Sequence, residues 1–175
     1  ASGSAVPRGA LEALCEALEP EQDTIPGVLA RDELSAAFAE AWSKRTDRAS
    51  RRRIGMRFYC LTAVKPVGDA PGSLRPARAG DVELLTPWFQ GFTKDVFGED
   101  AAADESRKQA TTRIEDGDLY VWEDGGVVSM AAKASPTERG IRVNHVYTPP
   151  ALRKRGYGTA CVAALSQAML DSGWQ

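Results

Sequence analysis

Histidine is nearly absent: His145 is the only one in 175 residues. Cysteine is scarce too. Cys15, Cys60 and Cys161 are scattered, and no CxxC pair occurs. These shortages argue against a structural zinc site and against a disulfide framework, so no metal is expected. The thiols read as small core residues of a protein in a reducing cytoplasm. Positive charge is not in excess, with 22 Lys and Arg against 24 Asp and Glu, a net charge of −2. A broad nucleic-acid-binding surface is therefore not expected, although a local basic pocket for one phosphate ligand stays open. No apolar run approaches the roughly 18 residues of a membrane helix. The opening ASGSAVPRGA lacks the charged-then-apolar layout of a secretory signal. There is no initiator Met, VPRG is like part of a protease-cleavage linker, and the chain stops abruptly at Gly173-Trp174-Gln175, which reads as a fragment or an edited chain.

What is present suffices for a core: 43% apolar and 26% charged residues suit one ordinary domain with a small appendage. In the first 50 residues Leu11, Leu14, Cys15 and Leu18 recur at helical steps before Pro20. Asp32 is expected to cap a second helix with Leu34, Phe38, Ala41 and Trp42 on one face. A basic run follows, Lys44, Arg45, Arg48 and Arg51 to Arg53. It reads as a solvated helix end or loop, or as a patch for an acidic partner. Residues 54–65 alternate like a strand, with Met56, Phe58 and Cys60 on one side. Pro66 to Gly72 is turn-rich, so the expected division is 1–72, an extension of two helices and a strand, and 73–175, the main domain.

The main domain reads β-α-α-β-β-β-α: a strand at 74–77, an apolar helix from Val82 through Trp88, Phe89 and Phe92, and a polar helix at 101–116. Strands at 118–123 and 127–132 follow, joined by Asp124-Gly125-Gly126, then a strand at 141–147 and a helix at 156–170. This order implies an α+β, or mixed α/β, sandwich.

The stretch that carries chemistry is IRVNHVYTPPALRKRGYGTACVAA, residues 141–164. Pro149-Pro150 removes two ladder donors and turns the strand away from a neighbour. The free backbone groups left there suit a ligand with amides of its own, paired as in β-augmentation. Next come Arg153, Lys154 and Arg155, then Gly156 and Gly158 at the start of a helix. Helix dipole, clustered N–H groups and formal charge together make an anion site suited to a pyrophosphate. Neither a Walker loop nor a dinucleotide-binding GxGxxG is present, since Cys161 stands where the third glycine would be.

This segment resembles the acetyl-CoA motif of the GCN5-related N-acetyltransferases (GNAT), [RQ]xxGx[GA], with Arg153, Gly156 and Gly158 at its fixed positions. The strand, double proline, motif and alanine-rich helix follow in that family's order, and about 100 residues take part. The resemblance implies a GNAT-like fold, with a mostly antiparallel central sheet flanked by helices, and transfer of an acyl group, usually acetyl, from acetyl-CoA directly to an amine. It implies that the backbone of Val146, Tyr147 and Thr148 pairs with the pantetheine arm. The amides of Lys154, Arg155, Gly156, Tyr157, Gly158, Thr159 and Ala160, with the Arg153 side chain, would hold the pyrophosphate. A backbone N–H near Val146 and Tyr147 would polarise the thioester carbonyl.

Two family features are missing. The glutamate base used by many relatives falls on Arg142. The tyrosine that protonates the thiolate would lie beyond Gln175, as would further strands, so self-association or a complementing chain at the open sheet edge is expected. His145 is the candidate for the base, although plain alternation turns it away from the face of Asn144 and Val146. Tyr120 and Trp122 either line an acceptor pocket or pack on the sheet, and Cys161 is either a helix-packing residue or a reactive thiol. Beside the transferase reading stand a non-catalytic CoA-binding module and a binder of another phosphate ligand.

Overall fold

The computed structural model describes residues 8–21, 25–57, 59–138 and 140–174. They form two compact units that divide between residues 58 and 59. The first unit is a helical pair: α1 (Arg8–Leu18) and, after a short 3-10 turn, α2 (Asp32–Thr46). Cys15, Phe38 and Trp42 are its buried core, and Phe38 stacks on Trp42 at 5.8 Å. Glu19 receives a hydrogen bond from Arg45 at 2.6 Å across the pair. The cap position of α2 falls on Arg31, and Asp32 is the first helical residue, its charge facing the positive helix end.

The strand expected over 54–65 does not form among the described residues; Phe58 lies outside them. Ile54, Met56, Tyr59 and Leu61 are exposed, Tyr59 at 83%. Alternation is only a preference for a half-buried pleat, and without a partner strand the ladder bonds that would repay ordering are missing. Cys60 is likewise exposed, which corrects its expected place in a core, whereas Cys15 and Cys161 are buried.

The second unit is built on a four-stranded antiparallel sheet, ordered β1 (Ser73–Pro76), β2 (Leu119–Glu123), β3 (Val127–Ala134), β4 (Arg142–Tyr147). Helices α3 (Val82–Phe97) and α4 (Ala103–Glu115) follow β1, and α5 (Tyr157–Asp171) follows β4. The mixed α/β architecture and its element order match the sequence expectation. Strand alternation, reset near Val128 by a register shift opposite Trp122-Glu123, sorts the side chains into two layers. Leu119, Val121, Met130 and Ala132 meet Leu85, Trp88 and Phe89 of α3 and Ala110 of α4. Trp122, Val128 and Ala131 meet Tyr157, Cys161, Leu165 and Met169 of α5. β3 is buried without interruption from Val128 to Ala132, as a strand covered on both faces must be. Arg75 of β1 binds Asp81 ahead of α3 at 2.7 Å, and Asp81 also accepts the Arg78 N–H at 2.7 Å, so the chain entering α3 is pinned to the sheet. No helix among the described residues is long and apolar enough to cross a membrane.

The feature that positions the site is an irregularity. Met130 faces Tyr147 and Ala132 faces Asn144, so two steps on β3 match three on β4. One extra residue is therefore accommodated at His145-Val146, a bulge in which His145 takes φ +46°. Tyr147 lands on the α3 face, where its ring lies 6.2 Å from Trp88. A Cβ on Gly91 would overlap the Tyr147 hydroxyl. Replacing Gly91 with Ala gains helix propensity but forces α3 off β4, for a net loss of about 1–2 kcal/mol in urea unfolding. An unchanged or raised stability would show that α3 and β4 do not make this close approach.

Candidate functional site

The chain leaves β4 through Thr148-Pro149-Pro150 and makes a short 3-10 turn, Pro150–Leu152. Lys154 and Gly156 then take left-handed backbone, φ +64° and +85°, and α5 starts at Tyr157. For Gly156 the left-handed geometry carries no Cβ penalty, which is the physical use of a glycine at that point. The first bond of α5 runs from the Ala160 N–H to the Gly156 carbonyl at 2.9 Å. The amides before it have no intrahelical acceptors, and they lie at the positive end of the helix dipole. Thr148, Leu152, Arg153, Lys154, Gly156, Tyr157, Gly158 and Thr159 line an open hollow of about 220 Å³. Of the residues expected from sequence to bind a pyrophosphate, Arg155 and Ala160 stand outside this lining.

Beneath the hollow α5 packs tightly on the end of β4. A Cβ at Gly158 would come within 3.0 Å of the Thr148 hydroxyl, so this glycine sets the depth of the floor. Ser129 of β3 donates to the Tyr147 carbonyl at 3.1 Å and shares a hydrogen bond with the Thr148 hydroxyl at 2.9 Å. The Tyr157 ring is buried, and its hydroxyl donates to Asp124 of the β2–β3 turn at 2.6 Å. That bond, with burial, raises the Tyr157 pKa. Cys161 is buried below, and burial pushes its thiol up to about 12 in spite of a bond to Ser129. It is a packing residue; the thiolate needed for reactivity is suppressed.

The strand side of the site is an edge. Among the described residues β4 pairs with β3 alone, and Val146 is exposed. The bulge alters the predicted alternation: Asn144, His145 and Tyr147 all turn to the α3 side, and Val143 packs on the α5 side. The His145 ring stacks on Phe92 at 4.8 Å and lies 5.3 Å from Phe89. Its Nδ1 and the Asn144 Oδ1 are buried without a hydrogen-bond partner. Burial, and then the Arg113 guanidinium, lower the His145 pKa to about 4. Tyr120 and Trp122 pack with α5 on the opposite face, and the Trp122 indole donates to the Pro71 carbonyl at 2.8 Å. Neither faces the side of α3. Among the described residues no cluster of three His, Cys, Asp or Glu could hold a metal ion.

Arg153 makes three contacts within its own chain. Its Nε donates to the Thr148 carbonyl at 2.8 Å, its guanidinium lies 5.5 Å from the Tyr147 ring centre, and its Nη2 reaches Asp95 of α3 at 2.5 Å. Sequence reasoning missed Gly91, Asp95, Asp124 and Ser129. Only Gly91 left a signal, as a glycine in mid-helix with no turn to explain it.

No protein-family model matches the sequence, and no curated protein matches it. Solved structures do. A possible acetyltransferase from Clostridium difficile 630 is 18% identical, with a TM-score of 0.51 over 59% of this chain and 74% of that one. The N-acetylglutamate synthase of Neisseria gonorrhoeae, solved with coenzyme A and N-acetyl-glutamate, is 18% identical, with a TM-score of 0.50 over 61% of this chain and 24% of that one. A Mycobacterium tuberculosis protein solved in complex with CoA is 21% identical, with a TM-score of 0.49 over 59% of this chain and 60% of that one. The match thus spans less than two thirds of two of these three chains. What the likeness defines is the fold: the chain carries a GNAT-like mixed α/β fold.

The depressed pKa of His145 gives a direction for stability. The unfolded imidazole takes up a proton near 6.5 and the folded one only near 4. Between those values the unfolded chain binds more protons, so stability falls as pH drops through that window. Urea unfolding at steps from pH 7 to 4.5 should show this fall, and His145→Asn, which tolerates the left-handed backbone, should flatten it. A slope unchanged by His145→Asn would remove His145 as its source.

Proposed function

We propose that the second unit binds acyl-CoA, with acetyl-CoA as the expected donor, and transfers the acyl group directly to an amine. The observation that carries this reading is the hollow at the start of α5. It is lined by Thr148 and by Arg153, Lys154 and Gly156 to Thr159, and it adjoins a bulged edge strand. A diphosphate fits what the residues offer: amides without intrahelical acceptors at a helix N-terminus, a left-handed Lys154 and Gly156, and nearby cations. The free edge of β4 at Val146 to Thr148 suits the amide-bearing pantetheine arm. The coenzyme supplies an activated acyl group, which an amine takes as the C–S bond breaks and the thiol leaves. The chain's share is to hold the diphosphate, align the arm along β4 and present a backbone N–H of the bulge to the carbonyl.

His145 is wedged between Phe89 and Phe92, and an imidazole that protonates near 4 is a poor acceptor for an ammonium proton. With Arg142 in the place of the family's glutamate, that observation favours a second reading, a CoA-binding module without turnover. The acceptor is an amine of unspecified kind, and a cytoplasmic setting is part of the proposal.

Titration calorimetry with coenzyme A tests the first step. The intact chain should bind, ATP should compete poorly, and Gly156→Trp should lose binding while its thermal transition persists. At φ +85° any side chain at position 156 is strained, so Gly156→Ala serves as the milder variant and should weaken binding about tenfold. Coenzyme A affinity unchanged in both variants would refute the placement of the diphosphate. A panel of amines with acetyl-CoA then separates transferase from silent binder.

A further inference from the structure

Among the described residues Arg153 is the only arginine lining the hollow at the start of α5, and its guanidinium is engaged by three contacts of its own chain. The Thr148 carbonyl accepts from its Nε at 2.8 Å, the Tyr147 ring lies under its guanidinium at 5.5 Å, and Asp95 takes its far edge at 2.5 Å. Asp95 belongs to one face of α3, with Trp88 and Gly91 at steps of three and four residues before it. Trp88 and Gly91 fix the Tyr147 ring, and the ring carries the guanidinium to Asp95. A guanidinium is a rigid planar fork, so a carboxylate at one edge sets the direction of the rest.

We propose that Asp95 is a positioning residue that holds Arg153 across Tyr147 and against the Thr148 carbonyl, so that a diphosphate ligand must draw the guanidinium off Asp95 to use it. This rests on the CoA-binding reading above and adds to it a residue on α3, outside the motif. Two features make the pair exchangeable. Its side chains are half exposed, 42% for Arg153 and 48% for Asp95, so water screens the attraction and little desolvation holds it shut. A diphosphate also brings more negative charge than one carboxylate, at a helix N-terminus that already favours an anion. The Thr148 carbonyl, one of the edge acceptors suited to the pantetheine arm, is released by the same movement.

The test is coenzyme A affinity by calorimetry in a double-mutant cycle, with thermal unfolding to confirm that each variant folds. Asp95→Asn removes the competing charge and should tighten coenzyme A about two- to fivefold, the range an exposed ion pair commands. Asp95→Glu, which keeps the charge, should bind as the unaltered chain does. In an Arg153→Ala background, Asp95→Asn should change nothing. Affinity unchanged or weakened by Asp95→Asn alone, in a chain that binds coenzyme A, overturns the role of Asp95 and leaves the CoA-binding reading standing. The same gain with and without Arg153 overturns it too, because the effect would then be general electrostatics. Failure of the unaltered chain to bind coenzyme A overturns the reading and this inference together.

Discussion

Tyr147 cannot reach α3 unless β4 gains a residue. In a regular ladder three steps along a strand reverse the face, yet Asn144 and Tyr147, three apart, lie opposite Ala132 and Met130 on one face. The bulge at His145-Val146 makes up the difference, and most of the site follows from it. Val146 is thrown outward at a free strand edge. Tyr147 becomes a wedge against α3 that only a glycine at position 91 admits. Thr148 turns under α5 to meet Ser129, and Pro149-Pro150 then prevents any return to the ladder. A strand that pairs on one side alone among the described residues and a helix N-terminus are thus brought side by side by one inserted residue.

The turn into α5, where we propose that a diphosphate sits, shows how a chain with net charge −2 can make a local positive region. Backbone geometry does more than formal charge. Lys154 and Gly156 take left-handed backbone, the kind of turn that can gather successive amides into an anion-binding concavity, and the start of α5 adds its dipole. The floor is fixed by small contacts, Gly158 on Thr148 and Ser129 on the Tyr147 carbonyl, and by Tyr157 tethered to Asp124. Cys161 belongs to this floor. A thiol near a helix N-terminus is ordinarily acidified, but burial outweighs the dipole here and raises its pKa to about 12.

The order of elements in the second unit and the glycine turn into α5 were legible because both depend on local chemistry: glycine and proline positions, and alternation where a partner strand exists. The same alternation misled at 54–65, where Tyr59 and Leu61 have the pattern of a strand and remain exposed, because pairing is not a local property. The bulge had no local signature either. His145 adopts φ +46° under tertiary constraint, and its ring moved to the α3 side that plain alternation denied it. Asp95 and Arg153 are separated by 58 positions in sequence, and nothing near either residue announces the other. The motif's arginine was recognisable by spacing; where its guanidinium goes was not.

Two arginines of the second unit make contrasting ion pairs, and the contrast separates structure from site. Arg75 and Asp81 are 16% and 13% exposed, joined through two nitrogens, with Glu123 as a second acceptor. Breaking that group strands charges in a nearly dry setting, so it acts as a fixed rivet between β1 and the start of α3. Arg153, which lines the hollow, and Asp95 share one contact, with both side chains about half exposed. Their attraction is screened, and the energy released when they meet is close to that recovered when either finds another partner. A pair of the first kind holds a fold in one state. A pair of the second kind can direct a side chain in the absence of a ligand and give it up in its presence, which is what the diphosphate site we propose would require of Arg153.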